Sequence, residues 1–169
     1  MFAVKNRLTH EGISQMDQEK ALDLFGSYFD FLGNGEGRED LTQSIIDSKN
    51  EEWISILNLE LPLSTEEARI PWQWVSTYDP VSDISKMKFP VLVVLGEQDF
   101  LSSTELALKG WTEGLEIAKN KNYTIKIYPE AGHGITVGGH NFGHGSLPQY
   151  AEGYFQLIGD WVLEITSGR

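Results

Sequence analysis

The sequence contains no cysteine among its 169 residues. That excludes disulfides, thiolate metal sites and a cysteine nucleophile, while leaving the compartment open. No apolar run approaches the roughly 18 residues needed to span a bilayer, so no membrane partner is expected. Basic residues are few: 13 Lys and Arg against 25 Asp and Glu, a formal net charge of −12. This deficit argues against a nucleic-acid partner, which requires clustered cations facing phosphates. The acids are spread along the chain and describe a soluble, self-repelling surface rather than an acidic tail. Lys5 and Arg7 are followed by no apolar stretch, so residues 1–10 do not read as a signal peptide. There is no internal repeat and no low-complexity tract.

What is present divides near Pro71. Residues 1–71 read as helices and turns. A helix is expected from Ser14 to Leu32, with Ser14 as its cap and Ala21, Phe25, Tyr28 and Leu32 on one face; Gly33-Asn34-Gly35 stops it. A second runs from Arg38 to about Ser48 with Leu41 and Ile45 inward, and a short one surrounds Trp53, Ile56 and Leu57. Ser64-Thr65-Glu66-Glu67 has capping-box spacing, so another helix should begin there.

Residues 72–169 alternate strand and helix. Phe89 to Leu95 is apolar throughout and rich in β-branched side chains, which suits a strand covered on both faces. A helix follows from Ser103 to about Asn120, then a strand from Tyr123 to Tyr128. Pro148 introduces a last helix carrying Tyr150, Tyr154, Leu157, Ile158, Trp161 and Ile165. The order strand–helix–strand–helix indicates an α/β class with parallel strands. Two strands make a poor parallel sheet, so further strands are expected from outside the chain or from another copy of it.

Two residues stand where an α/β sheet places its chemistry, just beyond the C-terminal ends of the strands. Asp99 follows the first, in Gly96-Glu97-Gln98-Asp99. His133 follows the second, between Gly132 and Gly134. A carboxylate can fix the tautomer of an imidazole whose other nitrogen then acts as a base. Alone, Asp99 is equally well a turn-shaping residue and His133 a surface loop histidine; together they favour a catalytic pair. His133, His140 and His144 raise the question of a metal, but the surrounding glycines argue for loop and no carboxylate or cysteine completes a set. The Gly132–Gly145 segment lacks phosphate-loop and dinucleotide spacing and is read as an active-site loop. Trp72 and Trp74, near Tyr78, are read mainly as core aromatics.

Tyr78-Asp79-Pro80, Phe89 to Asp99, and Tyr128-Pro129-Glu130-Ala131-Gly132-His133 together resemble the C-terminal part of α/β-hydrolases, notably serine-aminopeptidase-like and dienelactone-hydrolase-like esterases and peptidases. The resemblance implies a partial α/β-hydrolase fold: the last two parallel strands with flanking helices (residues 72–169), preceded by a helical cap-like segment (residues 1–71). It implies Asp99 as the triad acid and His133 as the triad base, an acyl or peptide-like small-molecule substrate and no cofactor. Phe25, Phe29, Trp53 and Trp72 become candidates for the substrate pocket. The departure is the nucleophile. Gly-x-Ser-x-Gly does not occur. Gly12-Ile13-Ser14-Gln15-Met16 has the first glycine but Met16 in place of the second, and no other serine has glycine two residues before it. The expectation is a C-terminal piece of a serine hydrolase, inactive by itself, or else a non-catalytic α/β module that binds a partner or self-associates, as a homo-oligomer, through an exposed strand edge.

Overall fold

The computed structural model describes residues 1–57, 59, 69–137 and 149–168. The chain forms two compact units, Met1–Tyr78 and Asp79–Arg169, dividing a little beyond the compositional change at Pro71.

The first unit is helical: α1 (Phe2–His10), α2 (Gln15–Asn34), α3 (Arg38–Asp47), α4 (Ile54–Leu57), a 3-10 turn (Ile70–Trp72) and α5 (Trp74–Thr77). Helix α2 starts as expected: the Ser14 hydroxyl accepts from the Asp17 amide, satisfying an amide with no partner inside the helix. It ends at Gly35 in the left-handed region, φ 78°. Its last carbonyls have a partner that the sequence does not announce. Buried Arg69 donates Nη1 to the oxygens of Leu32 (2.7 Å) and Gly33 (3.1 Å), placing a cation at the negative end of the helix. A side chain at Gly35 would begin 2.8 Å from the Arg69 Nε, so glycine there serves both conformation and space. Leu8, Ala21, Leu24, Phe31, Leu41, Trp53 and Leu57 form the core of this unit. The helix expected at Ser64 lies outside the described residues.

The second unit contains α6 (Pro80–Ile84), β1 (Val91–Gly96), α7 (Thr104–Ile117), β2 (Tyr123–Tyr128), β3 (Thr136–Val137), β4 (Gln149–Tyr150) and α8 (Tyr154–Thr166). Asp79 caps α6 through Oδ1 to the Val81 amide, with Pro80 in the first turn. Ser103 caps α7. Strands β1 and β2 pair in parallel, with Val91 opposite Tyr123 and Gly96 opposite Tyr128. Asn120 helps set that register: its Nδ2 donates to the carbonyls of Met87 and Phe89 before β1, while its Oδ1 accepts from the Asn122 amide before β2.

Alternation along β1 sends successive residues to opposite faces. Val91, Val93 and Leu95 pack with Ile84, Trp111 and Leu115 from α6 and α7. Val94 packs in a second cluster with Tyr128, Ala131, Tyr154 and Leu157. The strand is therefore covered on both faces, though Leu92, Val94 and Leu95 remain half-buried. Among the described residues β1 has one strand neighbour, β2.

Two expectations need correction. The last helix does not include Tyr150. Gln149–Tyr150 pairs antiparallel with Thr136–Val137, the Ala151 amide bonds the Ile135 oxygen at 2.9 Å, and Gly153 at φ 75° turns the chain before the helix starts at Tyr154. A ladder made of long-range bonds overrides helical spacing here. Trp74 is not a core residue: it is exposed and packs edge-on against Tyr78, itself exposed, with centroids 6.1 Å apart.

Candidate active site

Both candidate residues stand on short loops at the C-terminal ends of β1 and β2. These loops are brought together by backbone. The Glu97 amide bonds the Tyr128 oxygen (2.9 Å) and the Gln98 amide bonds the Ala131 oxygen (3.0 Å). The approach is close enough to require glycine at position 96. A Cβ there would lie 2.3 Å from the Gly132 oxygen and 2.4 Å from the Ala131 oxygen. The Thr104 hydroxyl donates to the Gly96 oxygen at 2.5 Å, tying the start of α7 to the same point.

This arrangement sets His133 Nδ1 2.9 Å from Asp99 Oδ2. The carboxylate has a full set of donors. Oδ1 accepts from the amides of Leu101 (2.8 Å) and Ser102 (3.0 Å). Oδ2 accepts from the Ser102 hydroxyl (2.6 Å) as well as from His133. Asp99 thus does two things that its sequence context left as alternatives: one oxygen shapes the turn and the other meets the imidazole. Its side chain is only 11% exposed, whereas that of His133 is 60% exposed. Burial pushes the Asp99 carboxyl upward. The Ser102 hydroxyl, the Ser102 amide, His133 and the Leu101 amide together outweigh that effect and hold it below the usual carboxylate range. An ionised Asp99 accepts a hydrogen bond from Nδ1–H and so selects the tautomer with a bare Nε2. Among the described residues Nε2 has no hydrogen-bond partner, which leaves its lone pair available as a base.

The loop around His133 is under local constraint. Ile135, two residues on, has φ 54°, a conformation that β-branched residues rarely adopt. It is held there by the buried position of its side chain and by bonds from the Ile135 amide to the Gly132 oxygen (3.0 Å) and from the Gly132 amide to the Thr136 oxygen (2.9 Å).

Phe25, Phe29 and Trp53 belong to the first unit. Phe25 and Phe29 pack on each other, centroids 4.8 Å apart, and Trp53 is buried in that unit's core with its indole N–H unbonded among the described residues. The Trp72 backbone closes the 3-10 turn; its side chain, like His140, His144 and all of the glycine-rich segment after Val137, lies outside the described residues. No group of three His, Asp or Glu suited to a metal occurs among the described residues. A cavity of about 150 Å³ lined by Pro90, Asn122, Thr124, Trp161 and Ile165 lies at the opposite, N-terminal end of the strands.

Sequence reasoning missed Ser102 and Gly96. Ser102 stands three residues after the acid, a spacing at which hydroxyls often close a turn, and Gly96 is the one glycine inside the strand.

A model of the dienelactone hydrolase family matches residues 62–154. No curated protein and no solved structure matches the chain.

Proposed function

Since the chain belongs to the dienelactone hydrolase family, a family with the α/β-hydrolase fold, we propose that it is the part of a hydrolase that carries the acid and the base of the reaction. The observation that supports this reading is the 2.9 Å bond between Asp99 and His133 at the ends of adjacent parallel strands. The roles are those of an acyl-transfer triad. A serine hydroxyl attacks the carbonyl carbon of an ester, amide or thioester. His133 Nε2 takes the hydroxyl proton as the new carbon–oxygen bond forms, then gives it to the leaving group as the old bond breaks. Water repeats the cycle on the acyl-serine and returns the free acid and the serine. Asp99 orients the imidazole and stabilises its protonated form.

Neither Gly-x-Ser-x-Gly nor a cysteine occurs in these 169 residues. On this reading the nucleophile is supplied by another polypeptide segment, and these residues by themselves are expected not to turn over substrate. The experiment has two arms. A serine-directed fluorophosphonate probe should leave the chain unlabelled, and nitrophenyl esters should remain intact. Joined to the nucleophile-bearing half of a dienelactone hydrolase family member, the chain should restore ester hydrolysis, and His133→Ala should abolish it. Labelling of the isolated chain, or restored hydrolysis indifferent to His133, would defeat the reading.

One observation favours a second role, self-association. Strand β1 is wholly apolar yet has one strand neighbour among the described residues, whereas β2 carries Thr124 and Lys126, as an edge strand should. Helix α8 buries none of its residues, and Phe155, Val162 and Leu163 are exposed. A homo-oligomer joined along β1 would cover the open edge of that strand. A concentration-independent monomeric mass by light scattering would exclude it.

A further inference from the structure

The carboxylate of Asp99 is approached by two side-chain donors, and both use the same oxygen. The Ser102 hydroxyl lies 2.6 Å from Oδ2 and His133 Nδ1 lies 2.9 Å from it. The other oxygen is taken by two backbone amides, of Leu101 and Ser102. A carboxylate has about four acceptor positions, and here each has a donor. Ser102 is the donor whose removal changes what Oδ2 offers to the imidazole. A hydroxyl hydrogen bond to an ionised oxygen is short and strong, and it draws charge density away from the second acceptor position on that oxygen.

We propose that Ser102 is a positioning residue of the Asp99–His133 pair: its hydroxyl holds Oδ2 and shares it with His133, so that the carboxylate orients the imidazole without taking its proton. The inference deepens the hydrolase reading, on which its catalytic meaning rests. Its structural part stands apart from that reading. The Ser102 hydroxyl bonds Oδ2, while His133 Nε2 has no hydrogen-bond partner among the described residues, so Ser102 meets the imidazole through the carboxylate.

The test is an NMR titration of the intact chain, following the His133 ring protons and the Asp99 carboxyl carbon. In Ser102→Ala, Oδ2 loses a donor and its charge is directed at the imidazolium alone. Both groups should then titrate higher than in the natural chain. Ser102→Thr restores the hydroxyl and should return both midpoints to those of the natural chain. Ser102→Cys keeps the size with a weaker donor and should fall between, which provides the comparison if the alanine variant does not fold. Unchanged His133 and Asp99 titrations in folded Ser102→Ala or Ser102→Cys would overturn the proposal. In the joined, active form, Ser102→Ala should lower kcat and displace the acid limb of its pH profile with little change in KM; an unmoved profile would also overturn it. If that form shows no hydrolysis with any variant, the hydrolase reading fails while the titration still decides the role of Ser102.

Discussion

Replacing Gly96 by alanine probes the packing that brings the two site loops together. The added methyl would lie 2.3 Å from the Gly132 oxygen and 2.4 Å from the Ala131 oxygen, both backbone atoms that cannot swing away as a side chain can. An ordinary carbon–oxygen contact is roughly 3.3 Å, so the two loops must part by about 1 Å. The Gln98–Ala131 bond, 3.0 Å in the native arrangement, is then broken. The Asp99–His133 bond, 2.9 Å in the same arrangement, is stretched beyond hydrogen-bonding range. Overpacking of this kind costs about 1–3 kcal/mol, and each of the two lost hydrogen bonds adds about 1 kcal/mol, for a total of roughly 3–5 kcal/mol. Urea titration of the intact chain, followed through the amide signals of β1 and β2, should show that loss in the second unit. The His133 Nδ1 proton signal should disappear in the same variant. A Gly96→Ala chain with the native urea midpoint and an intact Nδ1 signal would refute the reasoning, because the loops would then not be in the contact described.

Other perturbations test other parts of the account. Ser14→Ala should destabilise the first unit by about 0.5–2 kcal/mol, measured by denaturation, because the Asp17 amide loses its acceptor. Trp53→Ala should cost about 3–5 kcal/mol in the same assay. Trp53→Phe should cost much less, since the buried indole N–H has no partner among the described residues to lose. Asp99 is held below the ordinary carboxylate range when folded, so its contribution to stability is complete above its unfolded pKa and is lost as pH falls through the lower folded value. Urea midpoints measured from neutral pH down through that range should fall more steeply for the natural chain than for Asp99→Asn.

The sequence announced much of this fold because its signals were local. Ser14, Gly35, Ser103 and the apolar run Val91–Leu95 act on their own neighbours, and the elements they specify begin and end within a few residues of where they were read. What escaped depends on contacts between distant residues. Arg69 closes the end of α2 across some 37 positions of sequence. The β3–β4 ladder takes Tyr150 from an otherwise helical pattern. Ile135 adopts a conformation its own chemistry disfavours, because the surrounding bonds hold it there. The site divides in the same way. Asp99 and His133 were legible from their addresses at strand ends. Their meeting depends on Gly96, whose importance appears only once the second loop lies against it.

Asp99 fixes the tautomer of His133, and the Asp99→Asn variant shows whether it does. The Leu101 and Ser102 amides require an acceptor at Oδ1, so the new side chain keeps its carbonyl oxygen there and turns its NH2 toward His133. Nδ1 must then accept rather than donate, and the neutral ring must carry its proton on Nε2. Nitrogen-15 NMR of the neutral imidazole should report Nδ1–H in the natural chain and Nε2–H in Asp99→Asn. The same Nε2–H tautomer in both chains would contradict the account.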